Sequence, residues 1–129
     1  MRAIFRIPKY DRTNNVYNDS SSLYKKLNVL KLNDLYRFNL GILCHNVIHS
    51  QTCPIRMKEL FTLRADIIDR NTRANELDFY FTSTNLQNTA KRPSIAGAAF
   101  WNSLPDKLKG ISSLPSFKTQ LKALLISKY

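Results

Sequence analysis

Turn-forming residues are scarce in this chain. Three glycines and five prolines in 129 residues leave too little turn chemistry for a fold of many short strands, which excludes a turn-rich all-β architecture. Two cysteines, Cys44 and Cys53, are too few for a disulfide framework and read as free thiols in a reducing compartment. No run approaches the roughly 20 apolar residues of a membrane span, and residues 1–8 lack the apolar stretch of a signal peptide. The expectation is a cytoplasmic or nuclear chain, not secreted and without a membrane partner. Acids are scarce too. Nine Asp+Glu face twenty Lys+Arg, a formal net charge of +11, and such an excess favours an anionic partner, foremost RNA or DNA.

What is present suffices for one domain. Hydrophobic residues make up 43% and aromatics 11%, which argues against disorder. Residues 1–22 read as a basic N-terminal arm and polar loop, with Arg2, Arg6 and Lys9 outweighing Asp11. Residues 23–129 read as a single helical domain, an all-α or mostly α bundle of about four helices with one irregular, partly extended segment.

The serines at 20–22 suit the cap of a short helix carrying Leu23, Leu27 and Leu30. Asn33 looks like the cap of a longer helix reaching His49. Leu35, Phe38 and Ile42 form one apolar stripe on it; Tyr36, Leu40, Leu43 and Val47 form another. A helix apolar on most of its circumference is usually buried, so this one is predicted to be central. Gly41 weakens it unless a neighbour packs close there. Pro54 fits the first turn of a third helix. Leu77, Phe79 and Phe81 alternate with Asp78, Tyr80 and Thr82, which predicts one short extended segment. Ser94 opens a further helix, ended by Pro105, in which Phe100, Trp101 and Leu104 cluster. A basic turn at 106–110 follows. Ser113 and Pro115 then start a last helix whose core face carries Leu114, Phe117, Leu121, Leu124 and Leu125.

Assembled chemistry is hard to find. There is no Gly-rich phosphate loop, no Gly-x-Ser-x-Gly and no His-Glu-x-x-His. The carboxylates are too scattered to hold the Mg²⁺ of phosphoryl transfer, so no catalytic residue, small-molecule substrate or cofactor is expected. Cys44, His45, His49 and Cys53 suit zinc by donor type. Cys44 projects about 100° from His45 on a helix, however, so the four do not converge. The alternative places both histidines at the wet end of the Leu35/Phe38/Ile42 stripe. Arg70 and Arg73 fit a phosphate grip, or equally a structural role beside Asp66, Asp69 or Glu76. Lys91, Arg92, Lys107 and Lys109 are better electrostatic candidates because few acids lie near them in sequence. Trp101 suits base stacking but, set among Ala, Phe and Leu, reads first as core.

The segment from Gly97 to Leu125 also carries a resemblance. Gly97-Ala98-Ala99-Phe100-Trp101-Asn102-Ser103-Leu104-Pro105, then Ser113-Leu114-Pro115-Ser116-Phe117-Lys118, Leu121-Lys122 and Leu124-Leu125, resembles the extreme C-terminal region of reverse transcriptases from non-LTR, jockey-like retrotransposons. The stretch from Leu23 to Tyr36 and the tripeptide Asn71-Thr72-Arg73 are similar to earlier segments of the same region, although Arg70 replaces the usual aromatic. So is the opening run from Arg2 to Ile7. The resemblance implies an accessory tail or truncated remnant of an RNA-directed DNA polymerase. In the family the Phe/Tyr-Ala-Asp-Asp motif lies upstream of this region, and no Asp-Asp pair occurs here. The resemblance therefore implies no catalysis by this chain alone. The implied partners are RNA or DNA backbone and upstream polymerase domains. The alternative is a protein-interaction module, docking on a polymerase or self-associating, whose basic surface is incidental.

Overall fold

The computed structural model describes residues 10–11, 16–17, 20–67, 76–81 and 87–129. Among them the chain forms β1 (Tyr10–Asp11), β2 (Val16–Tyr17), α1 (Ser21–Lys26), α2 (Leu32–His49), α3 (Ile55–Glu59) and β3 (Thr62–Leu63). It continues with α4 (Arg64–Ile67), β4 (Phe79–Tyr80), α5 (Gln87–Ala90), α6 (Pro93–Asn102), α7 (Asp106–Lys109) and α8 (Leu114–Ser127). Two antiparallel two-stranded sheets pair β1 with β2 and β3 with β4. The bundle of about four helices expected from the sequence is therefore incorrect. Eight helices occur among the described residues, but only α2, α6 and α8 reach seven residues. The rest are single turns or little more.

The three long helices carry the core. His45 stacks on Phe117 and the Lys31 amide meets the Tyr129 hydroxyl, so α8 runs antiparallel to α2. Tyr36 reaches the Lys91 carbonyl and Gly97 lies against Cys44, so α6 runs with α2. Their contact produces a buried set of Cys44, Ala98, Trp101, Leu104, Phe117, Leu121 and Leu125.

Gly41 shows why α2 tolerates a glycine. A Cβ there would stand 2.6 Å from Leu121 Cδ2 and 3.3 Å from Phe100 Cε1. Relieving that contact means moving a fully buried leucine, an overpacking strain of about 1–3 kcal/mol. It outweighs the helix propensity of about 1 kcal/mol that alanine would add.

The central position expected for α2 holds, but the buried stripe differs. Leu40, Gly41, Cys44 and His45 are covered, whereas Leu35 is 45% exposed and does not belong to the core. Leu35 lies about 120° round the helix from Gly41, away from both α6 and α8. Phe38 and Phe100 pack partly buried against the core, and Ile42 is half-buried.

Local signals placed the ends of these helices only approximately. α2 begins at Leu32 after an extended Lys31, not at Asn33. Ser113 does precede α8 and Pro115 lies in its first turn, but the cap is the Ser113 carbonyl accepting from the Phe117 amide rather than a side-chain bond. α1 ends in a left-handed Asn28, φ 54°. Its amide bonds the Lys25 carbonyl, and that of Val29 bonds the Tyr24 carbonyl, a Schellman closure for which asparagine is well suited.

Candidate nucleic-acid interface

The Trp101–Lys109 segment builds a latch rather than a binding surface. Trp101 is fully buried and its indole N–H donates to the Leu77 carbonyl at 2.9 Å. The Asn102 side chain accepts from the Phe79 amide and donates to the Phe79 carbonyl, both at 2.8 Å. It thereby continues the β3–β4 pairing as an extra strand residue would. Lys109 Nζ donates to Asp78 Oδ1 at 2.7 Å, to the Asn102 carbonyl at 3.2 Å and to Asp106 Oδ1 at 3.5 Å. Three side chains thus hold residues 77–79 against the end of α6. The aromatic rings follow in a row from Phe61 through Phe79 and Trp101 to Phe117, with centroids 5.1, 6.2 and 5.7 Å apart.

This geometry removes Lys109 from the candidate phosphate contacts. Its side chain is only 2% exposed and its three donors are engaged. The sequence showed few nearby acids because its main partner, Asp78, lies 31 residues away. Asp78 itself is buried for the same reason.

Lys91, Arg92 and Lys107 are exposed, with no ion-pair partner among the described residues. Lys91 and Arg92 precede α6, and Lys107 follows it on α7. α6 itself is ten residues, about 15 Å long. Arg2, Arg6, Lys9, Arg70 and Arg73 lie outside the described residues. Near Lys91 the structure adds a feature that the sequence did not flag. Asn33, Tyr36, Arg37, Leu40, Ala96 and Phe100 line a groove of about 330 Å³ between α2 and α6. Tyr36 was legible only as a member of an apolar stripe, yet it is 48% exposed. Arg37 bonds Asp34 at 3.2 Å and keeps 54% of its side chain exposed.

His45 does not sit at a wet helix end, whereas His49, the last residue of α2, is half-buried. His45 is 2% exposed, stacked on Phe117 with centroids 4.6 Å apart, and its Nε2–H donates to the Ile111 carbonyl at 2.7 Å. His49 makes the equivalent bond to the Lys109 carbonyl at 2.9 Å. No group of three potential metal ligands occurs among the described residues. Burial pushes the Cys44 thiol up to about 12, so it stays protonated and unreactive near neutrality.

Burial also lowers the His45 pKa below its ordinary 6.5, outweighing the Ile111 bond that raises it; the His49 charge lowers it further. The folded state therefore binds this proton less readily than the unfolded chain. The His45 contribution is full above pH 6.5 and is lost as pH falls from there through the lower folded-state pKa. The urea midpoint is expected to drop between about pH 7.5 and pH 5, with His45→Gln flattening that part of the profile. An equally steep profile in the variant would assign the acid sensitivity elsewhere.

No helix among the described residues is long and apolar enough to cross a membrane. No protein-family model, curated protein or solved structure matches the chain.

Proposed function

We propose that this chain is a non-catalytic accessory tail, or a truncated remnant, of a retroelement reverse transcriptase, and that it contacts the backbone of RNA or DNA. The observation that carries the reading is electrostatic. Lys91, Arg92 and Lys107 stand exposed without ion-pair partners among the described residues, on a chain of net charge +11. Phosphates neutralised by such cations release counterions, so affinity must fall steeply with salt. The resemblance of the Trp101 segment supports the polymerase origin, and its architectural role leaves the surface cations to make the contacts. Full-length protein titrated with single-stranded RNA is expected to bind at low salt and to weaken markedly by about 0.2 M salt. Absence of affinity, or affinity indifferent to salt, would remove the proposal.

A second reading rests on a different surface. Leu27, Val29, Leu32 and Leu35 are exposed around the start of α2, Leu32 at 81%. Exposed apolar side chains concentrated in this short stretch of sequence support a protein-docking or self-associating module. A concentration-dependent dimer in solution that ignores nucleic acid would favour it over the first reading.

A further inference from the structure

We propose that the groove between α2 and α6 holds an unstacked nucleobase of single-stranded nucleic acid, an inference that rests on the backbone-binding reading above. Aromatic and basic groups meet there as such a ligand requires. Tyr36 and Phe100 supply rings from the two helices, and the exposed Tyr36 hydroxyl donates across the gap to the Lys91 carbonyl at 3.3 Å. The small Ala96 and the buried Leu40 leave room between them. At about 330 Å³ the space lies at the small end of ligand pockets, about 300–1,000 Å³.

The polar groups fit a base with its phosphate. Asn33 offers an amide that both donates and accepts, which matches a base edge. Arg37 carries five N–H donors, and its pairing with Asp34 leaves the side chain 54% exposed at the groove. Lys91 and Arg92 stand next to the Tyr36 contact, exposed and without ion-pair partners among the described residues. Base stacking on an aromatic ring beside a track of backbone cations is the general means of holding a single strand. A duplex does not fit this arrangement, because its bases remain paired and stacked.

The test compares strands that differ only in their bases. Full-length protein is titrated at low salt with an oligouridylate of about 12 nucleotides, an abasic strand of equal length and a duplex RNA of equal length. The base-bearing single strand is expected to bind about tenfold more tightly than the abasic one. Tyr36→Ala is expected to abolish most of that difference while leaving the salt slope unchanged, with a fall in thermal midpoint limited to the loss of the Lys91 bond and a half-exposed ring. Equal affinity for the two single strands, with the salt slope retained, would overturn the groove assignment and leave backbone binding standing. So would a duplex bound as tightly as the single strand. If none of the three binds, both readings fail together.

Discussion

Replacing Lys109 with methionine is expected to lower stability by about 3 kcal/mol, at the low end for a broken buried ion pair because Asp78 keeps some access to water. The substitution conserves the length of the apolar stem but leaves Asp78, whose side chain is 12% exposed, without its cation. It also leaves the Asn102 carbonyl without its Lys109 bond. With a urea m-value of about 1.5 kcal/mol/M, the midpoint would fall by about 2 M with unchanged slope. Asp78→Leu combined with Lys109→Met is expected to recover much of the loss, since an apolar pair of similar volume has no charge left to desolvate. A Lys109→Met protein of normal stability but weakened RNA binding would return Lys109 to the surface contacts and contradict the latch.

Trp101→Ala is expected to cost about 4 kcal/mol, a large share of the roughly 5–15 kcal/mol that holds a domain together. The indole fills the space between Phe79 and Phe117, so its removal leaves a cavity in the middle of the aromatic row. It also removes the 2.9 Å bond from the ring N–H to the Leu77 carbonyl. A fall in thermal midpoint of about 15 °C follows for a chain of this size. Trp101→Phe keeps a ring and loses the N–H along with part of the volume, so its cost is smaller, about 2 kcal/mol. A base-stacking tryptophan would behave otherwise, losing binding with little change in stability.

Much of the helical framework was legible because it depends on local signals. Proline in the first turn of α8, the apolar spacing of Phe117, Leu121 and Leu125, and the small-residue run of α6 each specify a helix or its packing face from neighbouring residues. The central place of α2 also followed from local composition, whereas the close approach at Gly41 was only one of two readings the sequence left open. Leu35 was misplaced because α2 is apolar nearly all round, and periodicity alone does not say which side α6 and α8 will cover. The latch was hidden for another reason. Asn102 meets Phe79 across 23 residues and Lys109 meets Asp78 across 31, so a lysine flanked by turn residues looked solvated. The groove was hidden in the same way, since Tyr36 and Phe100 come together only when α6 lies along α2. Sequence patterning thus identified the long helices α2, α6 and α8 but not the short turns and strand pairs between them, and the assignment of cations to core or surface required long-range pairing.

In the proposed function Lys109 is architectural and nucleic-acid contact falls to exposed cations such as Lys91 and Arg92. Its most direct test is the salt dependence of single-stranded RNA binding by the full chain and by a Lys91→Gln/Arg92→Gln variant. The unmodified chain should show a steep fall in affinity with salt, and the variant a slope shallower by about 1.4, the loss of two phosphate contacts on a single strand. A chain without measurable RNA affinity, or one whose affinity does not change with salt, would contradict the account.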